Sequence, residues 1–437
     1  MRTRRSLQKA LAAGILAVSL AGCSATSAGT DTKSSSSSPT AATAIPAQNG
    51  PGVTADSITV VDNYYFDATA PVDKAVFDAY NAAGGIAGRK LVRADQAQAN
   101  VSATATQAEQ DQAICLAYKQ RKDRVFAVLN DVTGSVKLNS CLNEQGTVVQ
   151  AWSGSVVDAS MFQEAPFTVG PGALTNKRLA TAWPALLKST GFLQDTSKIA
   201  VVSDGVGDDD RIAASTFLPA LEKAAGSTPQ LFTYDTTSSD QKALQAQALS
   251  IVLKLKQAGI DRVVFFGSGS LGPIAITGAK QGLDARYAWP YSAIPAGNGV
   301  TPTMQAAVTG YAWSLTDFGV PAAAQQQLLA SNPAAAKCLS ILTRAHLDLA
   351  QNASTALRLC DALNLLKQAI EGSGSKYVNA QAFIAGVEKL GTFDSVTTFR
   401  SGFGPGRHDG ALALRKSVYQ PSCKCFRYTG PNLPISG

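Results

Sequence analysis

The chain has 437 residues, of which 45% are hydrophobic and 16% are charged, so it is long enough for two globular units with sizeable cores. Its formal net charge is +7, but four basic residues precede Cys23 with no acid among them, which leaves about +3 for the rest of the chain. The remaining basic residues are scattered and have no interleaved aromatic cluster, so the composition argues against a nucleic-acid partner.

Residues 1–22 are typical of an export signal. Four basic residues precede an apolar run, Ala10–Ala21, that is too short for a permanent membrane span. The run ends in Leu20-Ala21-Gly22-Cys23, which resembles the cleavage site of bacterial lipoproteins and implies a lipid on the Cys23 sulfur. Thr3–Lys9 also resembles a twin-arginine signal, although a plain basic region is the favoured interpretation. We therefore expect an exported protein, anchored by lipid to the outer face of the cytoplasmic membrane or located in the periplasm.

Residues 23–52 form the next predicted segment. They are rich in Ser, Thr, Ala and Gly and include five consecutive serines, Ser34–Ser38. Such a composition cannot bury a hydrophobic core, which predicts a flexible tether between the lipid and a folded domain.

After the tether, strand and helix patterns alternate. A strand at Ser57–Tyr64 precedes a helix at Val72–Ala83, whose apolar residues recur at helical spacing. Gly84 and Gly85 can supply a left-handed helix end, and a second strand follows at Lys90–Ala94. This order predicts the opening of a doubly wound α/β domain.

The stretch Ala79–Leu91 (AYNAAGGIAGRKL) carries a family resemblance. It resembles the first helix end of the branched-chain amino acid binding proteins of ABC transporters, which have the type I periplasmic binding fold. The matching positions of their Asn-x-x-Gly-Gly-Ile-x-Gly stretch are Asn81, Gly84, Gly85, Ile86 and Gly88. The resemblance implies two Rossmann-like lobes with parallel-rich sheets, joined by a three-segment hinge, that close over a small ligand.

The remaining patterns continue this alternation. In the first lobe they predict strands at Arg124–Asn130 and Thr147–Trp152 and helices at Val101–Lys119 and Ser135–Glu144. In the second lobe they predict strands at Lys198–Ser203, Gln230–Tyr234, Arg262–Phe266 and Tyr287–Tyr291 and helices at Asn176–Ser189, Asp210–Ala225, Gln241–Ala258 and Ile274–Gly282. A helical stretch, Pro321–Ile370, is assigned to the first lobe, and C-terminal strands are assigned to the second at Gly410–Val418 and Lys424–Tyr428. The predicted boundaries are 53–168 and 308–392 for the first lobe and 169–307 and 393–437 for the second.

Seven cysteines leave six after lipidation of Cys23, an even number in an exported chain. Cys115–Cys141 is the expected first pair, because these residues lie on consecutive helical segments that flank one strand. Cys338–Cys360 comes next, across a helix break near Gln351–Ser354, and Cys423–Cys425 pairs by default. A swap of partners stays open. No histidine lies near these cysteines at zinc-ligand spacing, so no metal site is expected.

Candidate ligand groups follow the predicted strands, because ligands of open α/β sheets bind at the carboxyl ends of strands, near helix N-termini. The resemblance implies that the first lobe holds the ligand's carboxylate through hydroxyls and amides. The candidate positions in the two lobes are Tyr64, Thr133, Ser135, Ser153, Ser155, Asp208, Ser268 and Ser270.

Structural alternatives stay open for several of these residues. Thr133 or Ser135 could cap its own helix, and one of Tyr64 and Tyr65 is expected in the core. For Asp208–Asp210 a role at a helix start is the favoured interpretation, because carboxylates there interact well with the helix dipole. The family commonly has a Tyr-Gly pair at this position, so the usual aromatic wall of the pocket is in doubt.

Enzyme and cofactor interpretations find little support in the sequence. Gly267–Gly272 matches G-x-G-x-x-G, but it lies in the third strand–helix unit of its lobe and no ribose-binding acid follows, so no dinucleotide is expected. Of the two histidines, His346 is expected in mid-helix and His408 in a turn, neither with a nucleophile motif. The sequence therefore predicts a protein that is not an enzyme and needs no cofactor.

The function that the resemblance implies is solute binding for an ABC importer, with a membrane permease as partner and a monomeric state. A sensor of the same fold that signals to a membrane receptor is the alternative. Amino acid binders of this family hold the ligand's ammonium with an acid after the third strand of the second lobe, where this chain has Ser270 or Leu271. We therefore expect a carboxylate-bearing ligand and not a simple aliphatic α-amino acid, unless Asp204 or Asp208 substitutes for that acid. If such an amino acid does bind, Asp208→Asn is expected to weaken it more than Asp209→Asn.

Replacing Cys23 by serine should release the processed protein from membranes, because the lipid on the sulfur, not a helix, is expected to hold it there. Membrane fractionation measures the distribution, with Ser24→Ala as a control that should stay membrane-bound. A processed Cys23→Ser protein that remained in the membrane fraction would contradict the lipid anchor.

Overall fold

The computed structural model describes residues 44–437 except 64–68, 98, 100, 103–104, 132–133, 153, 155, 195–196, 206–207, 237, 239, 268–270, 292–299, 316–328, 330–331 and 436–437. The predicted export signal, Cys23 and residues 24–43 of the predicted tether lie outside the described residues.

The described elements alternate between strands and helices. The strands are β1 Ser57–Asp62, β2 Lys90–Ala94, β3 Ala127–Asp131, β4 Val148–Ala151, β5 Val156–Val157, β6 Thr168–Val169, β7 Leu174–Thr175, β8 Ile199–Ser203, β9 Gln230–Thr233, β10 Arg262–Phe266, β11 Arg286–Trp289, β12 Val308–Ala312, β13 Thr392–Phe393, β14 Ser401–Gly402, β15 Ala413–Gln420 and β16 Cys425–Pro434. The helices are α1 Ala70–Ala82, α2 Gln107–Gln120, α3 Val136–Glu144, α4 Met161–Glu164, α5 Asn176–Ser189, α6 Asp209–Ile212, α7 Leu218–Ala225, α8 Gln241–Ala258, α9 Leu271–Lys280, α10 Pro302–Ala307, α11 Pro333–Arg344, α12 Leu349–Gly372 and α13 Ala380–Leu390.

The first lobe is built on a parallel sheet with strand order β2-β1-β3-β4-β6. Its large core cluster joins β1 and β3 to α1, α11, α12 and α13, and includes Ile58, Phe126 and Phe383. Strands β3 and β4 are buried on both faces, as is typical of parallel sheets covered by helices.

The second lobe is built on a mixed sheet with strand order β16-β15-β12-β11-β10-β8-β9. Strands β8 to β12 are parallel, and the C-terminal hairpin β15–β16 adds two antiparallel strands beside β12. Aromatic residues fill one side, where Phe217 stacks between Trp183 and Phe266 with centroid separations of 5.7 and 5.0 Å. The predicted α/β class is confirmed, and the C-terminal strands pair with β12 in this sheet.

The stretch Asn81–Gly88 explains how α1 is joined to β2. The Asn81 side chain pairs with the backbone of Leu91, accepting from its N–H at 2.7 Å and donating to its carbonyl at 3.0 Å. Gly85 has φ +69°, and any Cβ there would collide with the Arg89 carbonyl, so only glycine fits the turn. Ile86 is fully buried in the core. Each of these residue types is therefore required by the helix-to-strand turn.

Two predicted helices differ from the structure at identifiable residues. The helix predicted from Val101 begins instead at Gln107, because Thr106 and Glu109 form a reciprocal capping box: the Thr106 hydroxyl accepts from Glu109 N, and Thr106 N donates to the Glu109 carboxylate at 2.7 Å. The helix predicted over Asp210–Ala225 contains a wide turn, Ala213–Phe217, between α6 and α7. Pro219 follows that turn and cannot donate a backbone hydrogen bond, which accounts for the irregularity.

The helix break in the first lobe lies earlier than predicted. The prediction placed it near Gln351–Ser354, but α11 ends at Arg344, and α12 begins after Asp348, whose carboxylate accepts from Ala350 N at 2.8 Å. His346, predicted in mid-helix, lies in this turn with φ +56°. Of the predicted helical stretch Pro321–Ile370, residues 321–328 and 330–331 lie outside the described residues.

All three predicted disulfides are present. They link Cys115 to Cys141 between α2 and α3, Cys338 to Cys360 between α11 and α12, and Cys423 to Cys425 at the tip of the β15–β16 hairpin. The Cα–Cα distances are 6.1, 6.2 and 5.2 Å, within the usual range for disulfides.

Three predicted boundaries need correction. The tether does not extend to 52, because the Asn379 side chain donates to the carbonyls of Pro46 and Gln48, and Gly50 N donates to Val378 O. The boundary at 308 is too early, since β12 belongs to the second sheet. The boundary at 392 is also too early, since Phe393 and residues up to Phe403 pack in the first lobe's core.

The chain passes between the lobes in three segments, which pair with one another through backbone hydrogen bonds. We call residues 170–173, 313–315 and 395–410 the crossing region. Gly170 N donates to His408 O at 2.9 Å, and Gly410 N donates back to Gly170 O at 2.7 Å. Leu315 N donates to Thr397 O at 2.6 Å, and the Trp313 indole donates to Gly172 O at 2.7 Å. The three passages therefore form one connected unit.

Two buried carboxylates attach the crossing region to the lobes. Asp361 on α12 accepts from Val396 N at 2.8 Å and from the hydroxyls of Ser395 and Thr397. On the other side, Asp409 accepts from Thr175 N at 2.9 Å and pairs with Arg178 of α5 at 2.8 Å. Both carboxylates are buried, so each holds its partners in an environment with little competition from water.

Replacing Asp361 by alanine should lower the free energy of unfolding by about 3 kcal/mol, because it leaves three buried donors without an acceptor. Asp78→Ala on α1 is the control: Asp78 is exposed and pairs only with Lys74, so its removal should cost at most about 0.5 kcal/mol. Chemical denaturation measures both values, and equal losses in the two variants would contradict the role of Asp361.

Candidate functional site

The carboxyl edges of the two sheets carry the predicted site residues, but the structure describes only two of them, Ser135 and Asp208. The others lie outside the described residues: Tyr64, Thr133, Ser153, Ser155, Ser268 and Ser270. Their assignment to the ligand site stays a prediction.

Ser135 uses its hydroxyl within the first lobe. It accepts from Leu138 N at 3.2 Å, which caps α3, and donates to the Asp111 carboxylate at 2.5 Å. Asp111 is held in turn by the Gln107 amide at 2.8 Å. This geometry favours the capping role that the sequence left open for Ser135.

Asp208 is partly exposed and forms an ion pair. Its carboxylate contacts the Arg211 guanidinium at 2.6 and 3.2 Å, and the Arg211 side chain is 63% exposed. The side chain makes no capping hydrogen bond with the helix that follows. Ion pairs this exposed contribute little free energy, and Asp208 is already matched by a positive charge.

A set of carboxyl groups lies next to Asp208, where Asp158 and Asn176, which the sequence did not single out, join Asp204 and Asp209. We call Asp158, Asp204, Asp209 and Asn176 the acidic cluster. The Asn176 amide donates to Asp209 at 3.1 Å and to Asp158 at 3.4 Å, while its own Oδ1 is buried and has no partner among the described residues. Asp204 is 3% exposed and packs against Gly267 at the end of β10, where no side chain could replace the glycine hydrogen.

Burial, together with the neighbouring charges of Asp204, Asp158 and Asp210, raises the pKa of Asp209 to about 7, against the hydrogen bond from Asn176, which lowers it. Burial also raises the pKa of Asp158, although the Asp208 backbone N–H donates to its carboxylate at 3.1 Å and opposes the rise. The cluster contains three carboxyl groups and one amide, so among the described residues it presents several acceptors and few donors.

The edge of the first sheet is built from polar side chains that hold one another. Asn130, at the end of β3 with φ +54°, donates to Asp62 at the end of β1 at 2.9 Å. Asn63 donates to Asp131 at 3.3 Å. These bonds tie the ends of the two central strands together, next to the loops at 64–68 and 132–133.

A buried cation lies beside the loop that follows β4. The Arg358 guanidinium of α12 is 4.7 Å from the centre of the Trp152 ring, and Arg358 is only 3% exposed. Trp152 directly precedes the predicted ligand residue Ser153. This cation–π contact therefore places positive charge close to the loop that the resemblance assigns to a ligand carboxylate. No sequence motif marked Arg358, since it lies some 200 residues from Trp152.

In the described part of the chain, no group of three or more His, Cys, Asp or Glu side chains is placed to hold a metal ion. Among the same residues, no helix has the length and apolar character needed to cross a membrane.

Comparisons with known proteins identify the fold. No family model matches the chain, and no curated protein sequence matches it significantly. Solved structures do match. An ABC transporter substrate-binding protein from Desulfitobacterium hafniense in complex with Leu is 15% identical, with a TM-score of 0.57 over 86% of this chain and 99% of that one.

Two further structures match to the same degree. A periplasmic binding protein type 1 from Bordetella pertussis Tohama I is 15% identical, with a TM-score of 0.58 over 86% of this chain and 99% of that one. A solute binding protein of an ABC transporter from Rhodopseudomonas palustris HaA2, in complex with p-hydroxybenzoic acid, is 15% identical, with a TM-score of 0.58 over 87% and 98%. At this identity the likeness shows the fold, so the predicted type I periplasmic binding fold is confirmed.

A buried carboxyl group at the first-lobe edge, Asp73, should make the stability of the folded chain depend on pH. Asp73, in the first turn of α1, is fully buried, and neither of its oxygens has a hydrogen-bond partner among the described residues. Burial, and after it the Asp62 charge, raises its pKa from 3.8 to about 7, against the opposing charge of Arg93. Between these two pH values the folded chain binds a proton that the unfolded chain has lost, so stability falls as pH rises.

Asp73→Asn should remove this loss, because an amide does not ionise. The variant should exceed the native protein in stability above pH 7 by up to about 4 kcal/mol, and the advantage should vanish near pH 4. Unfolding measured at a series of pH values tests this, with Asp78→Asn on the exposed face of the same helix as control. A variant whose stability depended on pH as the native protein's does would contradict the assignment.

Proposed function

We propose that the chain is the extracytoplasmic solute-binding component of an ABC importer. Its ligand is a small amino-acid-like or carboxylate-bearing metabolite, held in the cleft between the two lobes. One observation carries the proposal: buried charged groups lie at the carboxyl edges of both sheets, Arg358 beside the loop after β4 in the first lobe and Asp204 and Asp209 of the acidic cluster after β8 in the second. Sheets of this fold class bind ligands at these edges.

The first-lobe edge suits a carboxylate. The Arg358 guanidinium lies on the Trp152 ring at 4.7 Å, and the hydroxyl-bearing residues Ser153 and Ser155 follow directly in the chain. Charged hydrogen bonds to a carboxylate are strongest where water is excluded, and Arg358 is almost completely buried. The likeness to proteins solved with Leu and with p-hydroxybenzoic acid is in accord with a ligand that carries this group.

The second-lobe edge suits a donor-bearing or cationic group. From the sequence alone we expect no simple amino acid ligand, because Ser270 or Leu271 stands where amino acid binders of the resembled family have an acid. The acidic cluster supplies carboxylates from the neighbouring loop. The ligand class therefore includes amino acids as well as other carboxylates, and we expect Asp209 to matter more than Asp208.

The remaining parts of the proposal follow from the N-terminal sequence and from the fold. Cleavage before Cys23 and lipidation of its sulfur would anchor a monomeric protein outside the cytoplasmic membrane, with residues 24–43 as tether. A membrane permease would receive the ligand from the closed form. The protein binds its ligand without converting it, and no cofactor takes part.

A thermal-shift screen with amino acids, aromatic carboxylates and aliphatic carboxylates tests the proposed function. A ligand at a hundred times its Kd should stabilise the folded state by about 2.7 kcal/mol. Leucine, isoleucine, valine and p-hydroxybenzoate belong in the first panel, and calorimetry of each hit gives the stoichiometry. Failure of the whole panel to stabilise the protein, or turnover of a bound compound, would contradict the proposal.

Asp209→Asn should weaken the binding of any hit that carries an amino group by about tenfold or more, because an amide cannot balance the ammonium charge. Asp208→Asn is the matched control and should change the Kd by less than about threefold, since Asp208 is already paired with Arg211. Calorimetry measures both constants. Equal effects of the two substitutions, or a larger effect at Asp208, would contradict the role given to Asp209.

A further inference from the structure

A second cavity, away from the carboxyl edges of the sheets, lies on the helical side of the first lobe. We call it the helix groove: a cavity of about 440 Å³ between the C-terminal end of α1 and the helices α11 and α12. Helix α1 runs back along the sheet from the end of β1, so Ala79–Gly85 lie at the amino edge of that sheet. The groove is therefore separate from the proposed ligand cleft, and its volume is typical of a small-molecule site.

The floor of the helix groove is apolar and held in place by cross-links. Ala79, Ala83, Ala334 and Ile341 line it, together with the Cys338–Cys360 disulfide that joins α11 to α12. The Tyr80 hydroxyl ties α1 to α12 by contacting Cys360 O at 3.1 Å and Asn364 Oδ1 at 2.6 Å. A cavity held in this way is preformed and need not be opened by its ligand.

The polar groups around the groove are mainly donors. Asn364 Oδ1 already accepts from Tyr80, which leaves the Asn364 NH₂ group to donate to a ligand. Lys337 and Arg344 are exposed at the rim and form no ion pair with any described residue. Lys367 is neutralised by Glu371 at 2.5 Å, and Asp394 is the one acid in the lining. The rim therefore has an excess of positive charge above an apolar floor.

We propose that the helix groove is a second binding site, for a small amphiphilic carboxylate whose apolar body lies on the alanines, Ile341 and the disulfide. The carboxylate contacts Lys337, Arg344 and the Asn364 amide. This proposal does not depend on the importer function or on what the cleft binds.

Octanoate is a suitable probe, and octylammonium, with the same chain and the opposite charge, is its control. The Ile341 side chain gives a local readout, since its methyl NMR signals should shift saturably with octanoate and not with octylammonium. Ile251 lies in the core of the second lobe and should not respond. Equal shifts of Ile341 with both probes, or no shift with millimolar octanoate, would overturn the proposal.

Two kinds of variant assign the binding to the groove. Lys337→Glu combined with Arg344→Glu should weaken octanoate binding by about tenfold or more, whereas the same charge change at the exposed Lys242 and Lys254 of α8 should leave it unchanged. Ala83→Trp should fill the groove and abolish the Ile341 response, whereas Ala82→Trp, next to it but outside the lining, should not. Octanoate affinity that survived both the charge reversal and Ala83→Trp would overturn the proposal even if octanoate bound elsewhere.

Discussion

The two lobes are connected through the crossing region, which two buried carboxylates, Asp361 and Asp409, attach to the helices on either side. Asp361 holds the segment 395–397 against α12 of the first lobe, and Asp409 holds the segment after it against α5 of the second. Backbone bonds between Gly170 and residues 408–410, and between Leu315 and Thr397, join the three passages side by side. A buried carboxylate that lost its donors would be costly, so these attachments are the least replaceable part of the connection.

Local sequence signals predicted the elements of the fold well, because those signals act over a few residues. The Asn81–Gly88 turn, the parallel strands and the helix that starts at Gln241 after the Asp240 cap are set by neighbouring residues. The errors have the same origin. The capping box at Thr106 competes with the apolar pattern that begins at Val101, and Pro219 interrupts a helix that its periodicity alone would continue. Strand β12 was given to the wrong lobe because sheet membership is decided by tertiary pairing.

The candidate site was less predictable for a physical reason. Its charged groups come from distant parts of the sequence. Asp158 precedes the first crossing segment, whereas Asn176 and Asp209 follow it. Arg358 contacts Trp152 although some 200 residues lie between them in the sequence. A single residue such as Asp208 could be selected because it follows a strand, but its partner Arg211 and the burial of its neighbour Asp209 depend on the fold. The position of a residue in the sequence indicated which edge of the sheet is expected to hold the ligand site. It could not rank the carboxylates on that edge.

Several groups that cost folding free energy lie at the carboxyl edges of both sheets. Asp73 is buried without a hydrogen-bond partner among the described residues, Asn130 adopts a left-handed backbone conformation, and Asn176 Oδ1 is buried without a donor. Burial and the neighbouring carboxylates raise the pKa of Asp209 to about 7. Elsewhere, the turn at Asn81–Gly88 and the buried Asp361 and Asp409 satisfy their polar groups within the chain. Natural chains keep such unfavourable groups mainly where function requires them. In the acidic cluster, Asn176 Oδ1 lacks a donor among the described residues. The free energy of burying this oxygen is already spent when the chain folds, so a solute that donated a hydrogen bond to it would bind without that penalty.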